Sequence, residues 1–272
     1  MSDSSSDPHW SNSVIPKIVN IIAYTLFSGW HAYFAYDGMY DAGAGKITYI
    51  TPAPWAFLIW PAIHLLLLGT VIYQFTENGR RIIVEGASWR FFMLMAFNGL
   101  YVYLWAHHEY LLAFLVSIVV YSLVSSIYDV VVNLQQEGLV AADEIFIYTP
   151  FSLYYDWTVI LIYLSGFSAF GIDASTDSAG AGTKACVFLT LFVLNGSCGV
   201  RGGLCGAITI AWYLWAVFVY QTSSGFVHES VLVFAVLASS WAAFTLIASV
   251  AMVLVDPRSL QEDEESTSLL GS

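Results

Sequence analysis

Polar and apolar positions do not alternate along this chain; they fall in long blocks. Eight continuous apolar segments run roughly over residues 18–40, 53–75, 88–107, 109–134, 147–171, 184–200, 203–221 and 226–255. A helix that crosses a bilayer needs roughly 20 apolar residues, whereas the strands of a membrane barrel would alternate in polarity. The pattern therefore predicts an all-α, polytopic transmembrane helix bundle of about eight spans. Only His107, His108 and Glu109 separate the third and fourth segments, which predicts a tight hairpin. The sixth segment is short and runs into N-G-S-C-G-V-R-G-G-L-C-G (195–206), so seven spans plus a re-entrant piece is the alternative count.

Composition agrees: 58% of the residues are hydrophobic and 10% charged, against about 25% charged in soluble domains. Basic residues test the topology. With eight alternating spans, Lys17, Arg80, Arg81, Arg90, Arg201 and Arg258 share one side, and Lys46 and Lys184 the other. This six-to-two split predicts that both termini are cytosolic; with seven spans it weakens to five against three. The formal net charge of −12 comes from loops and tails, and eight Lys and Arg are too few for a surface that tracks nucleic-acid phosphates. Residues 1–17 lack the basic, apolar and cleavage regions of a removable signal peptide, so the first span is the expected targeting signal. Cys186, Cys198 and Cys205 are too few and too irregularly spaced for a disulfide framework or a zinc site.

The glycine-rich run 195–206 lacks the Gly-Lys-Ser/Thr ending of a phosphate loop. Its Gly199-x-x-x-Gly203 and Gly202-x-x-x-Gly206 spacings fit close helix approach. The tail after residue 255 is acidic and expected to be disordered. In it Glu265, Leu269 and Leu270 have the form of an acidic dileucine sorting signal, with a clathrin adaptor as the implied partner and a eukaryotic endomembrane or vacuolar/lysosomal membrane as the implied address.

The richest stretch is I-T-Y-I-T-P-A-P-W-A-F-L-I-W-P-A-I-H-L-L-L-L-G-T-V-I-Y-Q-F (47–75). Pro52 and Pro54 sit where a helix begins and a missing N–H costs nothing, and Pro61, seven residues further, predicts a kink near His64. This run resembles the second-helix signature of the tryptophan-rich sensory protein/translocator protein (TspO/MBR) family, and most closely that of its longer members with extra C-terminal helices. Two further stretches fit in order. F-N-G-L-Y-V-Y-L-W (97–105) is similar to the family's Asn-x-x-Trp helix, and T-P-F-S-L-Y-Y-D-W (149–157) to its Pro-Tyr/Phe-x-x-Trp helix. The resemblance divides the chain into a polar tail (1–17), a five-helix TspO/MBR-like core (18–171), three additional helices (172–255) and the acidic tail (256–272).

There are departures. Tyr101 replaces the family's tryptophan, with Trp105 one turn later; His64 replaces the tyrosine closing the second-helix motif; Tyr154 takes the aromatic position of the fifth helix, followed by Trp157. A cholesterol-type motif after the fifth span is absent.

Alternating topology also brings His31, His64, Asn98 and Asp156 to similar depths, within the middle third of a hydrocarbon core about 30 Å thick. Ionisable groups there are costly and are functional candidates. The candidate site is a midplane pocket with polar His64, Asn98 and Asp156, walled by Trp55, Trp60, Tyr101, Trp105, Tyr154 and Trp157. Flat walls suit a small planar apolar ligand, tetrapyrrole or lipid-like, and the resemblance implies such binding or sensing. Haem or a porphyrin is the named ligand, with a histidine as axial contact; no resident cofactor is assigned. The alternative is a proton-coupled secondary transporter using His64 and Asp156. Neither H-E-x-x-H nor a serine elbow marks an enzyme, leaving tetrapyrrole degradation as the one open activity. A retinal protein is excluded, since Lys17, Lys46 and Lys184 lie at loops or span edges. Membrane lipids are the expected surroundings, and a homodimer the oligomeric alternative to a monomer.

Overall fold

The computed structural model describes residues 9–38, 45–135, 141–177, 180–197 and 203–223, with residues 243 and 247 also helical. Within them the chain is a bundle of long helices: α1 (His9–Tyr36), α2 (Ile59–Tyr73), α3 (Trp89–Ala106), α4 (Tyr110–Gln135), α5 (Thr149–Phe170), α6 (Ala181–Ser197) and α7 (Gly203–Ser223). Among the described residues no strand occurs. Among the described residues four stretches are long and apolar enough to cross a membrane by themselves: Pro54–Tyr73, Tyr110–Asn133, Ala141–Phe170 and Cys205–Ser223. The segment expected at 226–255 lies outside the described residues, apart from those two helical positions.

Local sequence explains where the helices stop. α1 ends at Asp37–Gly38, where Gly38 takes φ 87°. The α3–α4 hairpin turns on His108, held at φ 61°, as three polar residues between two apolar runs require. Pro54 opens a 3-10 turn (Pro54–Leu58) that passes into α2 at Ile59. The change of helix type thus falls before Pro61, which occupies the first turn of α2, where its missing N–H costs nothing. π-helical stretches, Arg80–Ala87 and Glu144–Tyr148, lead towards α3 and into α5.

Successive helices run in opposite directions, so their ends sort into two layers. At one end lie Lys17, Arg80, Arg81 and Arg90. Asn20 Nδ2 donates to Gln74 Oε1 (3.1 Å), Gln74 Nε2 to the Lys17 carbonyl (3.4 Å), and the Arg90 guanidinium to Ser126 and to the Gly86 carbonyl. Tyr73 OH and Asn78 Nδ2 converge on the Asp143 carboxylate there. At the other end the segment from Gly45 to Ala56 meets the loop 171–177: Lys46 Nζ donates to the Gly171 carbonyl, and Ala174 N to the Ile47 carbonyl. In that loop the Ser175 N–H and hydroxyl both donate to Asp173 Oδ1 (2.9 and 2.6 Å), holding this carboxyl below its ordinary value.

α5 is the centre of the bundle. It packs on α4, α7 and α2, and buries Phe151, Tyr154, Trp157, Ile160 and Leu164 together with the polar Ser152, Asp156, Thr158, Ser165 and Ser168. α1 is its opposite. Ile15, Ile18, Ile22, Leu26, Trp30 and Tyr33 leave its outer face exposed and apolar, the composition of a surface turned to lipid.

Candidate functional site

α1, α2, α3 and α5 direct aromatic and polar side chains to one place. Phe27 and His31, four residues apart, lie on one face of α1 as helical geometry requires. Their rings stand 4.6 Å apart, and both meet Trp60 and His64 from α2. The His31 and His64 rings are 4.8 Å apart and edge-on; His31 and Trp60 are 4.4 Å apart. Tyr154 stacks on Phe27 at 6.4 Å and meets Trp60 edge-on at 5.8 Å, while Trp157 lies between Phe57, Trp60 and Tyr213. Such ring pairs each contribute about 0.5–1.5 kcal/mol beyond their area burial.

Hydrogen bonds fix the polar members. His31 Nε2 donates to Asn98 Oδ1 across 3.1 Å. Ser28 Oγ and His64 Nδ1 are paired at 3.1 Å, and Tyr24 OH donates to the His64 carbonyl at 2.9 Å. Four buried atoms of this cluster have no hydrogen-bond partner within the chain: His64 Nε2, Asn98 Nδ2, Tyr154 OH and Trp157 Nε1. Leaving one buried polar atom unsatisfied costs about 1–3 kcal/mol, and most native groups avoid it. Asn98 Nδ2 and Trp157 Nε1 can only donate, and Tyr154 OH is free to. The arrangement is an aromatic box that holds unsatisfied donors, with the Asn98 and Tyr154 side chains side by side.

A cavity of about 360 Å³ adjoins the box between α1 and α2, lined by Ser28, His31, Phe57, Trp60, Pro61 and His64 among others. A second, about 400 Å³ and almost wholly apolar, lies between α1 and α3. Phe27 lines the second and touches the two histidines that line the first, so one side chain divides them.

The structure brings together Trp60, His64, Asn98, Tyr154 and Trp157 of the expected residues, with His31. It sets others apart. Trp55 lies against Trp212 of α7, with ring centres 4.7 Å apart. Tyr101 pairs with Ser165 (3.2 Å) and stacks on Trp105, whose other neighbour is Tyr110. Asp156 is two residues from Tyr154, about 200° around the helix. Its Oδ2, buried and also without a partner, lies 2.6 Å from where a β-carbon on Gly206 would stand. No hydrogen bond joins Asp156 to His64. The sequence reading missed Phe27 and Ser28; their signal was the i, i+4 relation of Phe27 to His31 and of Ser28 to Ala32 on a face already carrying a buried histidine. Glu265, Leu269 and Leu270, with Cys198, lie outside the described residues. Among the described residues no group of three or more His, Cys, Asp or Glu is placed to hold a metal ion.

A helical membrane bundle with an aromatic, donor-lined interior defines the class of protein. The family model for TSPO-like protein matches residues 14–254, and the chain belongs to that family. The match runs past residue 171 and takes in α6 and α7 as well as the helices that carry the quoted motifs. No curated protein and no solved structure gives a match.

Proposed function

We propose that the protein binds a small planar apolar ligand, a tetrapyrrole or a lipid-like molecule, in the box formed by Phe27, His31, Trp60, His64, Asn98, Tyr154 and Trp157. The observation that carries this reading is the gathering of His64 Nε2, Asn98 Nδ2, Tyr154 OH and Trp157 Nε1, all buried and unpartnered, among stacked and edge-on rings. A ligand with a carbonyl or carboxylate edge would satisfy the Asn98, Tyr154 and Trp157 donors, and its flat face would take the place of ring–ring contacts. The α1–α2 cavity lies at the small end of the usual range of about 300–1,000 Å³. A tetrapyrrole therefore requires Phe27 to swing aside and join the two cavities, whereas a smaller planar molecule fits beside it. Of the residues present, His64 offers an unpartnered ring nitrogen to a haem iron, and the aromatic walls hold the macrocycle. The basic end of the bundle, with Lys17, Arg80, Arg81 and Arg90, faces the cytosol on this reading.

The test is titration of the detergent-solubilised protein with protoporphyrin IX and with haem, followed by tryptophan quenching and the Soret band. Saturable quenching by both is expected, with a haem Soret shift that is lost in His64→Ala while protoporphyrin binding persists. Absence of saturable quenching with either would sink the tetrapyrrole ligand, and a retinol or fatty-acid titration then decides the lipid-like one.

A further inference from the structure

The segment from Gly45 to Ala56 joins α1 to α2 and is irregular, yet it is buried: Thr48, Tyr49, Ile50 and Ala53 are each 5% exposed or less. Buried backbone without its own helix or ladder must find partners elsewhere, most stringently at membrane depth. Tyr110, Ala174 and the segment itself supply some of them, and α7 supplies others. Tyr213 OH donates to the Ile50 carbonyl (2.7 Å), Gln221 Nε2 to the Thr48 and Thr51 carbonyls (3.0 and 3.3 Å), and Trp212 Nε1 to the Ala56 carbonyl (2.9 Å). The Ala53 N–H donates in turn to the Ala216 carbonyl at 2.9 Å. Trp55 adds its edge-on contact to Trp212. The last residues of the segment already belong to the 3-10 turn Pro54–Leu58, whose Pro54, Phe57 and Leu58 line the α1–α2 cavity. One helix thus bonds five backbone groups of this strap, which runs into the turn that lines the cavity.

We infer that α7 is a clasp on this strap, and that Trp212, Tyr213 and Gln221 are positioning residues that set how fast a ligand enters and leaves the cavity between α1 and α2. The inference rests on the proposed ligand site for its consequence, but not for its geometry. None of the three side chains lines the cavity; Tyr213 also meets the Trp157 ring edge-on, a contact that Phe keeps, and the hydrogen bonds of all three go to the backbone of residues 48–56. Loss of the clasp frees the strap while leaving the α4–α5 packing, and the box itself, in place.

Hydrogen–deuterium exchange on the full-length protein in detergent tests the clasp without any ligand. In a Tyr213→Phe/Gln221→Leu variant the amides of 45–58 should exchange at least roughly five-fold faster, the scale of one net hydrogen bond, with α4 and α5 unchanged. Should that double variant fail to fold, Tyr213→Phe alone, which removes a single oxygen, carries the test. Protoporphyrin IX then reads the consequence: its association and dissociation rates rise together by several-fold while Kd moves less than two-fold. Unchanged exchange over 45–58, or a rise spread equally over α4 and α5, would overturn the clasp. If wild-type protein binds no protoporphyrin, the porphyrin reading falls while the exchange result still decides the clasp.

Discussion

The two flanks of α5 are built on different rules. Towards α1 and α2, Tyr154 and Trp157 meet rings at 5.8–6.4 Å, donors stay unpaired, and a cavity of about 360 Å³ adjoins them. Towards α7, the Asp156 carboxylate presses on Gly206 so closely that no β-carbon fits between. Both flanks hold an unpartnered buried atom, but the first adjoins a cavity and the second is tight at Gly206. The proposed ligand site lies on the α1–α2 side, and the α7 side is the frame behind it.

The contrast breaks first at its tight side. Gly206→Val puts a β-carbon 2.6 Å from Asp156 Oδ2 and should destabilise the bundle by about 3 kcal/mol, the upper range for overpacking. On the loose side, a β-carbon at Gly99 of α3 meets nothing nearer than Trp30 Cδ1 at 4.0 Å, so Gly99→Ala should shift stability by less than about 0.5 kcal/mol. Equal thermal midpoints for the two variants in detergent would erase the difference between the flanks. Next in size is Asn98→Ala, which removes the acceptor of His31 and one inward donor; protoporphyrin affinity should fall about ten-fold by tryptophan quenching, as expected for a buried polar contact. Asp156→Asn comes third. It keeps the shape of the tight seam and should alter protoporphyrin affinity by less than two-fold. Ligand uptake into proteoliposomes that depends on a pH gradient and is lost in this variant would instead favour a proton-coupled transporter.

The helices were legible because the bilayer imposes one rule on every span. The expected segments 53–75, 88–107, 109–134 and 147–171 appear as Pro54–Tyr73, Trp89–Ala106, Tyr110–Gln135 and Thr149–Phe170. α1 begins earlier than hydropathy indicates, at His9, and runs on through Pro16. The site was harder. Depth placed His31, His64 and Asn98 together, since depth follows from counting residues along spans. Azimuth did not follow, because the face a helix turns inward depends on which helices surround it. Asp156 shares the depth of Tyr154 but points the other way, and Trp55 and Trp105 sit nearer the strap end. The partners of Trp55 come from α7, a helix outside the stretch that carries the quoted motifs, and no local pattern in residues 47–75 announces them.

The smallest expected effect lies at the rim, where the loop 171–177 supports the strap. The Asp173 carboxyl is held below its usual 3.8 by the Ser175 hydroxyl and N–H. A depressed carboxylate stabilises its turn above the unfolded value and loses that contribution as pH falls through the lowered one. The Ser175 amide resonance should therefore titrate at lower pH than it would beside an ordinary aspartate. In Asp173→Asn it should not titrate at all.

The burial of Asp156 against Gly206 also bears on how the chain is assembled. An aspartate at the centre of a lone helix costs about 2.5–3.5 kcal/mol on insertion into a bilayer, and α5 carries Ser152, Thr158, Ser165 and Ser168 besides. The glycine that covers Asp156 belongs to α7, which leaves the ribosome after α5 and α6. During synthesis α5 is therefore an incomplete membrane segment, sheltered by its earlier neighbours α2 and α4 but open on its acidic flank. That flank can close only once α7 has been made, and a chain stopped before Gly203 lacks the glycine that covers Asp156.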